Sequence, residues 1–496
     1  MTIKTRYSLI LAILAIFAAL TLSTCFTSYT GDTGTLIIKF SGENSRMASF
    51  EKSEISAFEY EIIMTGPDGK PASYGKYTNS DLENGVSFDL IIGIWDIEVK
   101  AIGKKPKDGS YESPDDALSF PSSMLRAMGW DNKEIKAGPN NADIQMKSAI
   151  EVTNEWQLGQ AIDLANDSDS KEEIILISDN ISIDGFQPIV FTPYSGLNIT
   201  FIAEKKVTIG WKSGYSPSMP LITINDDDSL TLGRKGMPGE LIIEGSTSIP
   251  NFSKLINVYN GNLIMEEGVT IQNGQGGAVI ITGFPPSYGS FTMNGGTIGG
   301  NKTGSGNSGG GVYVDENGKF TMIDGNISNN EAEWGGGVYV YNGGEFNMEG
   351  GTISGNTAER NGGGVYVSGG GREAGKFLMQ GGTISGNEAG TTGGGVYLEG
   401  EKSLRGKDFG IIEKTGGIIY GNNTDKDLNN KVTNGEITDE SKPTEINYGY
   451  AIFVDCFFDP SGSEFKGTKK IRDSTAGEND NLYSDKNGGW VTKTYP

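Results

Sequence analysis

Four tyrosines, Tyr313, Tyr339, Tyr366 and Tyr397, each sit in a copy of one strand motif, GGGVYV or GGGVYL, at residues 309–314, 335–340, 362–367 and 393–398. If the flanking valines face inward, alternation sends the four rings outward from one sheet. Aromatic faces with polar tips suit glycans and protein surfaces, so these four are the candidate ligand-binding residues. Acid–base and nucleophilic chemistry has less to work with. The chain contains no histidine, which excludes Ser-His-Asp and Cys-His catalysis. Gly306–Gly310 spells G-x-S-x-G, but it has no imidazole partner and lies in a glycine-rich turn. Gly370–Lys376 has P-loop spacing, yet Phe377 stands where a hydroxyl must bind Mg²⁺, and a strand motif follows instead of a helix.

Metal chemistry is equally thin. Zinc lacks histidine and a second suitable cysteine. The acidic runs Asp226–Asp228, Asp315–Asn317 and Glu478–Asp480 match neither the EF-hand loop nor the calcium-roll nonapeptide, and read as solvated turns. No catalytic residue, metal or cofactor is therefore assigned. A net charge of −23 disfavours nucleic acid and other polyanions as partners.

The element that must position the tyrosines is a repeat. Each GGGVYV copy follows a second pattern: GSFTMNGGTIGGN (289–301), GKFTMIDGNISNN (318–330), GEFNMEGGTISGN (344–356) and GKFLMQGGTISGN (375–387). The steps between Phe291, Phe320, Phe346 and Phe377 are 29, 26 and 31 residues. Units of this size, unable to bury an apolar face alone, stack. F-T-M, T-I-S and V-Y-V are too short for helices, and alternation points Phe, Met, Ile and Val inward. Three short strands per coil predict an all-β, right-handed parallel β-helix of 8 to 10 rungs. Asn301, Asn330, Asn356 and Asn387, continued by Asn422, predict a buried asparagine ladder. Weaker copies extend the array so that it occupies 150–496, with clear repeats over 289–398. A cap helix is predicted over 153–167, with Asn154 as N-cap, Gln157 three residues on, and Leu158, Ala161, Ile162 and Ala165 on its apolar face. The polar stretch after Phe457 reads as the C-terminal cover.

The paired GGGVYV and Phe-x-x-Asn strands resemble the repeats of chlamydial polymorphic outer-membrane proteins and, more broadly, bacterial pectin-lyase-like surface proteins. Phe291-Thr292-Met293-Asn294 matches outright, whereas Ile323, Glu349 and Gln380 replace the asparagine in the other copies. The resemblance implies an extracytoplasmic β-helix with a binding role. In those proteins a membrane β-barrel follows, and no such run of alternating ten-residue segments follows Val454 here. Hydrolases of the fold use clustered aspartates, and lyases use calcium with an Arg or Lys base. The outward positions Thr292, Thr321, Asn347 and Leu378 carry neither.

Lys4 and Arg6 precede an apolar run from Leu9 to Leu22 that is too short to span a membrane, which reads as a secretory signal over 1–24. Leu22-Ser23-Thr24-Cys25 resembles a bacterial lipobox, which implies a lipid on Cys25, cleavage before it and a linker over 25–34. Phe26, rather than Asp, favours the outer membrane. Cleavage leaves 472 residues with a charge near −25 and Cys456 as the other cysteine. Residues 35–148 lack the repeat. Leu36–Phe40, Phe58–Met64, Val86–Ile92, Trp95–Ala101 and Ile144–Met146 alternate like antiparallel strands, with a turn at Thr65–Gly69. They predict a small β-sandwich resembling prealbumin-like or immunoglobulin-like modules. A short helix is expected at Ser122–Met128. The expected function is a non-enzymatic, lipid-anchored surface adhesin or structural protein, with a host or matrix protein or a glycan as partner. Two alternatives are carried: a polysaccharide lyase or hydrolase of the pectin-lyase-like fold, and a periplasm-facing glycan-binding scaffold.

Overall fold

The computed structural model describes residues 33–39, 55–104, 115, 118–168, 171–184, 189–191, 196–212, 219–246, 253–370, 372–403, 406–420, 430–432, 452–454 and 482–484. The signal segment, Cys25, Asn422, Cys456 and most of the expected C-terminal cover lie outside them. No helix among the described residues is long and apolar enough to cross a membrane. The chain forms two compact units, residues 1–102 with 128–146 and residues 103–127 with 147–496.

The first unit is a small β-sandwich. It contains β1 (Thr33–Lys39), β2 (Glu59–Thr65), β3 (Pro71–Thr78), α1 (Asn79–Asn84), β4 (Val86–Ile91), β5 (Gly93–Lys104), β6 (Ser123–Ile135, which the unit boundary divides) and β7 (Gly138–Asp143). One sheet has the order β4-β1-β7, and in another β3, β2, β5 and β6 are successive neighbours. Alternation along β1 and β2 buries Leu36, Ile38, Tyr60, Ile62 and Met64 completely. Pairing is not antiparallel throughout, because β1 meets β4 antiparallel and β7 parallel. Ile144–Met146 is not a strand but the connection after β7.

The expected helix at Ser122–Met128 is instead the start of β6. Met124, Leu125, Ala127 and Met128 favour helix by propensity, yet all are buried, as in a strand covered on both faces.

The second unit is a parallel β-helix. Its strands stack in register, with Phe291, Phe320, Phe346 and Phe377 aligned, Ile298, Ile327, Ile353 and Ile384 aligned, and the GGGVYV strands aligned. Among the described residues, nine strands stack in the isoleucine sheet and ten in the tyrosine sheet. Nine strands make eight turns, about 38 Å at the spacing of hydrogen-bonded strands. The phenylalanine rings lie 4.8–4.9 Å apart and nearly parallel. A helix, α2 (Glu155–Asp167), lies at the N-terminal end, where the Asn154 side chain accepts from the Gln157 N–H at 3.0 Å. Leu158, Ala161, Ile162 and Ala165 are buried, as is the Gln157 side chain.

Two features exceed the sequence reading. A fourth sheet of four strands joins the later coils: Glu331–Trp334, Thr357–Asn361, Glu388–Ala389 and Lys431–Val432. Its small inward residues, Ala332, Ala358 and Ala389, are buried. The ladder runs Asn301, Asn330, Asn356, Asn387 and then Asn430, each side chain bonded to the next at 2.9 Å. Asn430 therefore takes the place expected for Asn422.

Candidate functional site

The glycine triplet explains how each tyrosine is placed. The first glycine of the second copy, Gly335, has φ +62, the left-handed region that favours glycine. A Cβ on either following residue would lie within 2.5–2.6 Å of a carbonyl oxygen of the next coil, Thr357 O for Gly336 and Gly364 O for Gly337. Only glycine lets the coils approach so closely. The chain then enters Val338–Val340 with both valines fully buried and Tyr339 on the opposite face.

Tyr313, Tyr339, Tyr366 and Tyr397 form one column, as their spacing predicts. Successive ring centroids are 5.1, 4.8 and 4.8 Å apart. The column is not uniformly open. Tyr313 and Tyr339 are half-buried, while Tyr366 and Tyr397 are only 4% and 5% exposed. Burial, reinforced by nearby carboxylates, holds the Tyr313, Tyr339 and Tyr366 hydroxyls above the ordinary phenol range, so they stay protonated as donors.

Alternation brings a second row to the same face, two residues on: Asp315, Tyr341, Ser368 and Glu399. Their backbone N–H groups donate to Ile281, Val314, Val340 and Val367 at 2.8–2.9 Å. Tyr341 stacks on Tyr339 at 6.1 Å. Ser368 Oγ donates to Glu399 Oε2 at 2.5 Å. Burial raises the Asp315 carboxyl above the usual carboxylate range, and the charge of Glu316 adds to the rise. The face therefore combines aromatic rings, hydroxyl donors and a carboxyl group at each end.

Lys254, which sequence reasoning missed, closes the Tyr313 end. Its Nζ donates to the Ser308 and Gly309 carbonyl oxygens at 2.7 and 2.5 Å and lies 5.7 Å from the Tyr313 ring centroid. Burial lowers its ammonium to about 7. No motif marks Lys254, because its partners lie 54 and 55 residues later.

Both coincidental motifs border this face and serve its backbone: the Ser308 carbonyl accepts from Lys254, and the Gly370 N–H donates to Ser368 Oγ at 3.0 Å. Gly306 N–H donates to the Glu333 carboxylate, and Ser308 pairs with Trp334 through backbone. Among the described residues, no group of three or more histidine, cysteine, aspartate or glutamate side chains could hold a metal ion. No family model, curated protein or solved structure matches this chain.

Proposed function

We propose that this is a lipid-anchored cell-envelope protein that binds a glycan or a protein surface through the tyrosine face of its β-helix, without catalysing a reaction. The observation that carries this reading is the double row, Tyr313–Tyr339–Tyr366–Tyr397 beside Asp315–Tyr341–Ser368–Glu399, on one face of a regular scaffold. Because the rings stack on one another, they present edges and hydroxyl tips outward, and with the adjoining hydroxyl and carboxyl groups they make an amphipathic strip suited to a sugar or peptide. Cys25 would carry the lipid, and the sandwich lies between it and the β-helix in the chain. The reading places the protein at the bacterial outer membrane, facing outward. Protease shaving of intact cells should release β-helix peptides; release only after lysis would instead favour the periplasm-facing scaffold.

The site test uses the more open half. Replacing both Tyr313 and Tyr339 with Ser should reduce attachment to glycan and matrix-protein arrays at least tenfold. The corresponding Phe replacements separate stacking from hydrogen bonding, and circular dichroism verifies that the fold persists. Attachment unchanged in folded Ser variants would defeat the proposal.

One observation favours a second reading, a polysaccharide-degrading enzyme. Burial raises the carboxyl of Asp315 beside the aromatic column, as a general acid needs, although Glu399, three rungs or about 14 Å away, is too distant to be its paired carboxylate. Wild-type cleavage of any member of a polysaccharide panel, abolished by Asp315→Asn, would establish that reading over the first.

A further inference from the structure

The sandwich unit ends in an apolar tip at the point where the chain enters it. β4 finishes at Ile91 and β5 begins at Gly93, and the short connection leaves Ile91 40% and Ile94 61% exposed. Both are exposed large apolar residues, Ile94 among the most exposed of those described. The tip is firmly built. Trp95 is only 7% exposed and its indole Nε1–H donates to the Ile91 carbonyl at 2.9 Å. Gly66 packs on the Trp95 ring, and Gly93, with φ +147, packs against Pro67 so closely that a Cβ there would collide with it. Two branched aliphatic side chains are thus presented on a fixed platform.

The pairing register places this tip beside the N-terminal entry of the unit. Thr33, the first residue of β1, is the partner of Ile91. The β2–β3 turn reaches the same end, because Thr65 pairs with Asp96 at the start of β5. So does the β6–β7 turn, because Gly34 pairs with Gly138. Cys25 is eight residues before Thr33, a span of at most about 28 Å when fully extended. An acyl group on Cys25 would hold this end of the unit within that distance of a bilayer.

Charge is compatible with the same neighbour. The chain as a whole is strongly acidic, whereas this end sets Asp68, Asp96 and Glu134 against Lys70 and Lys136, with Glu134 and Lys136 bridged at 3.0 Å. The opposite end of the unit carries Asp81 and Glu83 of α1 at its surface. A weakly charged end tipped with isoleucine meets phospholipid headgroups with less repulsion than the rest of the chain would cause.

We propose that the β4–β5 tip seats on the phospholipid surface that holds Cys25, with Ile91 and Ile94 entering the headgroup–acyl boundary. This rests on the reading of Cys25 as the lipidated residue. The tip would then orient the sandwich on the leaflet, a task that a flexible acyl tether cannot perform.

Mass spectrometry of the N-terminal peptide from membrane-extracted protein first tests the lipid on Cys25 by itself. The tip is tested separately, in the chain starting at Cys25 and carrying Cys456→Ser, by coupling the Cys25 thiol to a maleimide-headgroup lipid in phosphatidylethanolamine/phosphatidylglycerol vesicles. Hydroxyl-radical footprinting should show Ile91 and Ile94 oxidised at least threefold more slowly on vesicles than in the untethered chain, with Tyr77 at the other end unchanged. The double variant Ile91→Ser/Ile94→Ser should lose the accompanying protection of Pro67. Equal oxidation with and without vesicles overturns the proposal. Protection already present in the untethered chain also overturns it, since a second copy would then be the occupant.

Discussion

Asn356 makes every hydrogen bond its amide can offer inside the coil. Its Nδ2 donates to the Ile327 carbonyl and to Asn387 Oδ1, and its Oδ1 accepts from the Asn330 N–H and Nδ2, all at 2.9–3.0 Å. Removing the side chain strands buried donors and acceptors on two neighbouring coils. Asn356→Ala should therefore destabilise the β-helix by about 3 kcal/mol or more. Asn347→Ala, on the half-exposed outer face, should change stability by less than about 0.5 kcal/mol. Urea titration compares the two, and equal losses would deny the ladder its role. The sequence announces the ladder through recurrence of asparagine after each Gly-Asn or Asn-Asn corner. It misplaces the last member because Asn430 stands eleven residues after Ile419, whereas Asn387 stands three after Ile384, the partner of Ile419. Asn430 still reaches the Ile384 carbonyl at 3.1 Å, so the ladder position follows spatial register and not local spacing.

At the scale of the element, glycine has opposite meanings in the coil and in the cap. A Cβ at Gly337 would meet the Gly364 carbonyl at 2.6 Å, whereas one at Gly159 in α2 would meet nothing within 4 Å. Gly337→Ala should cost more than about 2 kcal/mol through displaced backbone, and Gly159→Ala should gain about 0.5–1 kcal/mol through helix propensity. Thermal melts of both variants should move in opposite directions. Glu173, near the first coil, supplies a pH signature. It is 5% exposed, Ser148 Oγ donates to its Oε2, and burial raises its carboxyl to about 8. The folded state thus keeps a proton that the unfolded chain releases near the usual carboxylate range. Stability is full below about pH 4.5 and is lost as pH climbs towards 8, with a slope of up to ~1.4 kcal/mol per pH unit. Glu173→Gln should flatten that decline; an unaltered pH profile would place the proton elsewhere. The Phe, Ile and Tyr strands were legible because alternation survives even in three residues. The alanine strands were not, since Glu-Ala-Glu-Trp and Thr-Ala-Glu-Arg offer one small inward residue among polar ones. Their partner strands in neighbouring coils decide the matter.

At the scale of the whole molecule, two compact units share one chain, and their chemistry divides accordingly. If Cys25 carries the anchor, Cys25→Ser should move the protein from the membrane fraction to the soluble fraction while leaving the melting profile unchanged. Retention of the Ser variant in membranes would refute lipid anchoring. The candidate face was legible as a column of tyrosines, yet its closure at Tyr366 and Tyr397 and its Lys254 boundary were not, because contacts across two coils leave no trace in linear spacing. The register itself has a further consequence. Asn330 and Asn356 occupy equivalent corners 26 residues apart, so excising 331–356 would rejoin two compatible surfaces and shorten the array by one step of about 4.8 Å. Insertion of another such segment would lengthen it by the same increment. Reach is thereby a quantised property of the gene, adjustable by duplication or loss of single cassettes without redesigning any interior contact.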